Sequence, residues 1–270
     1  MASDRRSTYS LRLVSEPFDL RVVSLARVVP HEQSEPRRVQ RMVGRLQADD
    51  CLGNPPVVFQ LDDRFMLVDG ANRIAAMRTL GYRHTVVQVA SPASVRLTTW
   101  HHVLTATTPE RVLDTLDHIV ELDLDEDRQR PAVCTVLLAD GRQLAVHPKR
   151  GADPYAVLSP LVAGYLKDAV VRRVVDPDLA AHPDAAALVA FVELTIEDVF
   201  GAVRRGTLLP AGITRFVIPG RVLALNAPLA PLRSDEPAGA LEAWLAELVS
   251  GRRTEGRIRH YPEAVFVLDD

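Results

Sequence analysis

The sequence predicts an α/β (α+β) protein made of two packed parts, and three observations carry that prediction. Over residues 20–90, short apolar runs alternate with helical stripes, the pattern of strands interleaved with helices. Gly70 stands between an apolar run ending at Asp69 and a helical stripe, the punctuation of a tight strand-to-helix turn. Beyond residue 93 apolar runs and helical patterns continue without repeats or low-complexity tracts. A smaller α/β module over 1–92 and a larger mixed α/β part over 93–270 are expected, packed closely on each other.

The elements follow in order. LRVVSLARVV (20–29) reads as one extended apolar segment. SEPRRVQRMVGRLQADD predicts a helix with Ser34 as its cap, Pro36 in the first turn, and Val39, Met42, Val43 and Leu46 on one stripe. PPVVFQL (55–61) and FMLVD (65–69) predict two strands joined at Asp62-Asp63-Arg64. ANRIAAMRTL (71–80) predicts a second helix stopped by Gly81, and HTVVQVA (84–90) a third strand. PERVLDTLDHIVEL (109–122) predicts a helix, and AVCTVLLADGRQLAVHP (132–148) a hairpin turning at Asp140-Gly141. Long helices are expected around 155–175 and 184–205, then a Pro/Gly-broken stretch over 208–232, a helix around 236–250 and a last strand AVFVL (264–268).

Composition narrows the function. Of 270 residues, 47% are hydrophobic and 25% charged, ordinary globular usage that excludes wholesale disorder. The net charge of -3 argues against a dedicated nucleic-acid binder, which carries a basic excess. Only Lys149 and Lys167 are lysines, so arginine and backbone amides must make any phosphate contacts. Cys51 and Cys134 are the only cysteines, and the first ten residues, MASDRRSTYS, are polar. No apolar run approaches the ~20 residues that span a bilayer. A reduced cytoplasmic protein with no membrane partner is expected.

Absent motifs exclude several chemistries. There is no GxxxxGK[ST], GxGxxG, GxSxG, HExxH or EF-hand loop. The informative segment is LVDGANRIAAMRTLG (67–81). A strand that ends at Asp69 and turns at Gly70 into a helix puts free N–H groups, the positive helix end and Arg73 at one spot. An anion or phosphate fits there, with Asp69 placed to hold a metal; the plainer alternative is Asp69 as a helix cap and Arg73 as a solvated residue. Glu32, in VVPHEQSEPRRV (28–39), follows an apolar run and precedes a helix, where it can project into a cleft as a general base or simply face water. His31 reads as a packing or hydrogen-bonding residue, and Arg37, Arg38, Arg41 and Arg45 as an exposed helix face.

A strand followed by Asp69-Gly70-Ala71-Asn72-Arg73 opening a helix resembles the DGxxR turn of the ParB/sulfiredoxin-like fold. Within it, PHE at 30–32, TTWHHVL at 98–104 and GITRFVIPGRVLALNAPL at 212–229 together resemble the free L-serine kinases, which make O-phospho-L-serine from serine and a nucleotide. The resemblance runs from about residue 20 to the end. It implies Glu32 and Asp69 as catalytic residues, with Glu32 the base for the serine hydroxyl and Asp69 the acid beside the reacting phosphate and its Mg2+. It places Gly70, Asn72 and Arg73 in the nucleotide-phosphate turn, and Trp100, His101, Thr214 and Arg215 on the serine side. Arg221 joins Arg215 as a candidate donor to the serine carboxylate. His102 reads as structural. Ala71-Asn72 stand where many relatives carry two histidines.

The implied cofactors are Mg2+ with ATP or ADP as phosphoryl donor, and the partners are L-serine and an adenine nucleotide, with homodimerisation open. The product would feed a biosynthetic route such as 2,3-diaminopropionate formation. A closed pocket would admit free serine and not seryl peptides. The competing reading is a ParB-like DNA-binding regulator or nuclease, disfavoured by the Ala-, Val-, Leu-, Asp- and Glu-rich composition of 93–270. A catalytically silent nucleotide sensor would keep the Asp69–Arg73 turn and not need Glu32.

Overall fold

The computed structural model describes residues 18–125 and 130–261. The expected strand over 264–268 lies outside these residues. Two sheets organise the chain.

The first sheet has five strands in the order β1 (Asp19–Ser24), β6 (His84–Val89), β4 (Val57–Leu61), β5 (Arg64–Asp69) and β2 (Val28–Pro30). The extended segment 20–29 is not one strand. A 3-10 turn at Leu25–Arg27 splits it and sends β1 and β2 to opposite edges of the sheet. Helices α1 (Pro36–Asp49) and α2 (Ala71–Thr79) form as expected. The α1 cap does not: Glu35 takes the N-cap position without a side-chain cap bond, because Pro36 at the first helical position already sets the start. Strand β3 (Cys51–Leu52) pairs with β15 (Ala227–Pro228).

Both faces of the first sheet are covered. Phe59, Met66 and Val68 point into a core shared with the second part, whereas Val58, Phe65 and Leu67 point at helices α1, α2 and α6 (Ala238–Thr254). The side-chain period of two sends alternate residues to opposite faces, so these strands read as unbroken apolar runs. Burying a side chain such as Phe59 contributes roughly 1.5–3 kcal/mol. The C-terminal helix α6 thus returns to the N-terminal module, where Glu242 accepts a bond from the Val22 amide at 2.9 Å.

The second sheet has six antiparallel strands ordered β12 (Val170–Val174), β8 (His101–Thr105), β13 (Ala187–Phe191), β10 (Cys134–Leu138), β11 (Gln143–Pro148) and β9 (Leu122–Asp125). The hairpin at Asp140-Gly141 is the expected one. Three helices are shorter than their periodicity suggests. Helix α3 (Pro109–Asp117) stops five residues short of 122, and Leu122 opens β9 instead. Helix α4 (Leu158–Tyr165) gives way to β12, and the expected helix from 184 begins as β13, with α5 only over Ile196–Arg204. Sheet pairing decides these cases: ALVAF sits between β8 and β10, buried at four of five positions, where a wholly apolar run satisfies a central strand as well as a helix. A ribbon of β7 (Arg96–Thr99) and β14 (Thr214–Val217) completes the framework, with Trp100 bonding the Ile213 carbonyl beyond its end. Among the described residues no helix is long and apolar enough to cross a membrane.

Candidate active site

Strands β2 and β5 run parallel, so their carboxyl ends reach the same edge of the first sheet, the usual position of a ligand crevice in such sheets. Glu32 follows β2 there and Asp69 ends β5. A cleft of about 230 Å3 opens at this edge, with Glu32, Asp69, Gly70, Asn72, Thr214 and Arg215 in its wall. Trp100 and Arg173 also line it. The strand ends and the β14 ribbon therefore bring seven of the ten expected site residues to one cleft: Glu32, Asp69, Gly70, Asn72, Trp100, Thr214 and Arg215.

The Glu32 loop is fixed by backbone pairing. Gln33 N–H donates to the Leu209 carbonyl and Leu209 N–H to the His31 carbonyl, both at 2.9 Å. The Glu32 carboxylate accepts from Gly212 N–H at 3.2 Å and lies 3.5 Å from the Thr214 hydroxyl. His31 is buried, with Nδ1 2.6 Å from the Leu67 carbonyl and Nε2 2.9 Å from Thr214 Oγ1. Burial pushes its pKa down and favours the neutral ring.

Behind this loop His102 bridges Tyr165 at 2.5 Å and the Gly212 carbonyl at 3.0 Å, so the structural role read from the sequence holds and it braces the loop that touches Glu32. Desolvation lowers its pKa to about 4, although the Gly212 carbonyl opposes the shift. Its folded pKa is depressed, so the unfolded chain takes up a proton first as pH falls. The stability is full above pH 6.5 and is lost as pH drops towards about 4. Acidification across that window should cost on the order of 3 kcal/mol through His102. Buried His31 and His101 shift in the same direction and add to it. Urea titrations at pH 7 and pH 4.5 check this, and equal midpoints would overturn it.

The turn after β5 is built as its sequence suggests. Gly70 has φ +97°, and a Cβ there would lie 3.0 Å from the Pro56 side chain, so only glycine fits without strain. Asn72 Oδ1 accepts from the Glu35 amide at 3.3 Å, which joins the starts of α1 and α2 and leaves its NH2 group as a donor. Arg73 departs from expectation. Its guanidinium donates to the Asn54 carbonyl and to Asp69 Oδ2 (2.6 Å) and is largely buried, so it clamps the turn and stays outside the cleft wall. The expected solvated first-turn arginine with little packing is not what forms. Arg221 likewise donates to Asp69 Oδ2 at 2.6 Å and stays outside the cleft wall, whereas Arg215 lines it.

The carboxylate of Asp69 limits what metal the site can hold. Both arginine contacts use Oδ2, which leaves Oδ1. Among the described residues no group of three or more His, Cys, Asp or Glu side chains could hold an ion. That set suits Mg2+, which takes one or two carboxylate oxygens and fills its shell with phosphate and water. It does not suit an ion that needs a full protein cage.

On the opposite wall the Arg215 guanidinium lies 5.0 Å from the centre of the Trp100 ring, which holds the cation over an aromatic face. His101 does not join them. It is 8% exposed, lies outside the cleft wall, and burial lowers its pKa, because residues 100 and 101 point to different sides where the ribbon passes into β8. The sequence reading missed Arg173 and took Arg38 as a solvated helix residue. Both line the cleft and share Glu35, Arg38 at 2.9 Å and Arg173 at 3.2 Å. The run VVRRV has no period-two alternation, so no local signal marked it as the edge strand β12 or placed Arg173 at the cleft.

No family model matches the chain. It is 27% identical over 253 residues to the ATP-dependent L-serine kinase SbnI of Staphylococcus aureus, covering 93% of this chain and 97% of that protein. An ATP-dependent L-serine kinase of Staphylothermus marinus is 25% identical over 84 residues, 30% of this chain and 33% of that protein. The structure of C-terminally truncated SbnI superposes with a TM-score of 0.73 at 27% identity, covering 86% of this chain and 96% of that one. A free serine kinase in complex with AMP has the same fold, with a TM-score of 0.69 at 17% identity over 79% of this chain and 93% of that one. The chain is therefore similar to an L-serine kinase in sequence over 93% of its length and in fold over 86%.

Proposed function

We propose that this protein transfers a phosphoryl group from ATP or ADP to the hydroxyl of free L-serine, giving O-phospho-L-serine. One observation carries the reading: a carboxylate, Glu32, faces a helix N-terminal turn with an acid, Asp69–Gly70–Asn72, across one small cleft. Phosphoryl transfer needs little more than a base, charge neutralisation and in-line placement. Glu32 takes the serine hydroxyl proton, the serine oxygen bonds to the terminal phosphorus, and the bridging P–O bond breaks with its electron pair leaving on the nucleotide. The amides at the start of α2 and the Asn72 NH2 group hold the donor phosphates, while Arg73 and Arg221 keep Asp69 in place. Mg2+, held by Asp69 with those phosphates, would neutralise phosphate charge when bound. Arg173 and Arg38 add positive charge between the two substrates.

The serine side rests on Arg215, stacked on Trp100 and aimed at the amino-acid carboxylate, with Thr214 beside the hydroxymethyl group. Arg215→Ala should therefore raise the serine KM well over ~10-fold, the loss of a charge-assisted contact, while the nucleotide KM moves little. Steady-state kinetics in both substrates decide this, and equal changes would put Arg215 on the phosphates. The kinase reading itself is tested by incubating the purified protein with serine, Mg2+ and ATP or ADP and detecting O-phosphoserine. Absence of the ester with both donors would overturn it. A DNA-binding regulator is not favoured, because an antiparallel six-stranded sheet follows the first module where a helix-turn-helix would be needed. The phosphoserine is suited to a synthase that displaces phosphate, such as one forming 2,3-diaminopropionate.

A further inference from the structure

We propose that His31 is a positioning residue that accepts the hydrogen bond of the Thr214 hydroxyl and so keeps the Glu32 carboxylate open to the proton of the substrate. The inference rests on the kinase reading above and concerns how its base is kept competent.

Proton accounting carries it. The Leu67 carbonyl 2.6 Å from Nδ1 can only accept, so Nδ1 bears the ring proton. The ring is buried and neutral, which leaves Nε2 bare as an acceptor. Among the described residues the one partner within hydrogen-bond distance of Nε2 is Thr214 Oγ1, at 2.9 Å, with Glu32 Oε2 farther off at 3.9 Å. Thr214 has a single hydroxyl proton and two acceptors in reach, His31 Nε2 at 2.9 Å and Glu32 Oε2 at 3.5 Å. The shorter contact wins. Among the described residues Glu32 then accepts from the Gly212 amide alone, which leaves lone pairs free in the cleft that it lines.

Without that acceptor the hydroxyl would turn to the carboxylate, since a hydrogen bond to an ionised oxygen is the stronger kind. The bond would occupy the oxygen and stabilise its charged form, and both effects weaken a base. The ring is held to this task from three sides. Leu67 lies on β5, Thr214 on β14, and Phe216 meets the ring edge-on at 5.3 Å. His31 is absent from the cleft wall and touches no substrate position, so its effect must pass through Thr214 and Glu32.

The test is a double-mutant cycle read in kcat. His31→Asn keeps an N–H near the Nδ1 position and offers nothing at Nε2, so kcat should fall roughly tenfold while the serine KM stays within about twofold. His31→Gln carries an amide oxygen to the Nε2 position and should recover most of that loss. Thr214→Val in the His31→Asn background removes the misdirected hydroxyl and should raise kcat above that of His31→Asn alone. A merely structural histidine predicts the reverse, a double variant no better than the worse single one. That result, or an unchanged kcat in His31→Asn, would overturn the proposal. Nitrogen-15 NMR of the histidine-labelled wild type gives an independent reading should the variants fold poorly. A neutral ring protonated on Nδ1 is expected, and the Nε2-protonated tautomer would overturn the proposal as well. A wild type that makes no phosphoserine sinks the kinase reading, while the tautomer measurement still judges the hydrogen-bond assignment.

Discussion

Glu32→Gln should reduce turnover at least ~10²-fold with a modest change in serine KM, the ordinary loss on removing a positioned general base. The substitution keeps the length and most of the hydrogen bonding of the side chain. Its amide oxygen can still accept from Gly212 N–H, which now meets Glu32 at 3.2 Å. The loop stays fixed because Leu209 pairs with the backbone of His31 and Gln33, independent of the side chain at 32. What vanishes is the ability to take a proton. Single-turnover kinetics with saturating nucleotide separate this from a binding defect, and a thermal melt confirms the fold. Turnover within a few-fold of wild type would remove Glu32 as base and leave alignment of the substrates as the main catalytic device.

How much of this was readable beforehand depends on how local each feature is. The Asp69–Gly70 turn was legible because strand end, glycine and helix start lie within five residues, and the backbone alone requires φ +97° at Gly70. Glu32 was legible as a candidate because a loop acid between an apolar run and a helix has few places to go. Its partners were not, since Gly212 and Thr214 lie about 180 positions away and are brought in by the pairing of Leu209 with the Glu32 loop and by the β7–β14 ribbon. Arg73 misled for a related reason. Its helical position was read correctly, but the Asn54 carbonyl and Asp69 that engage it are invisible to periodicity. The misread helices over 170–174 and 187–191 show propensity giving way to pairing, because those apolar runs serve a central or edge strand as readily as a helix. That misreading is also what hid Arg173.

Arg173→Ala should lower kcat on the order of 10²-fold with a smaller change in either KM, because its charge lies where negative charge moves during transfer. The guanidinium is held by Glu35 Oε1 at 3.2 Å and the Ala211 carbonyl at 3.4 Å. It packs so tightly on Gly212 that a Cβ there would fall 2.0 Å from it. Gly212 is also the residue whose amide bonds Glu32, so the cation sits one residue's width from the base. Glu35 in turn is joined through its amide to Asn72 at the phosphate turn. Arg173 therefore stands between base and donor, and because Arg38 shares the same Glu35, one carboxylate faces two cations and a positive charge is left over. Arg173→Lys should recover only part of the rate, since a point charge cannot reproduce the planar fork. Gly212→Ala should resemble Arg173→Ala, because the added methyl displaces the guanidinium and strains a backbone at φ +82°. Steady-state kinetics of the three variants check the assignment. A raised serine KM with unchanged kcat in Arg173→Ala would move Arg173 to the serine carboxylate and leave Arg215 to the phosphates.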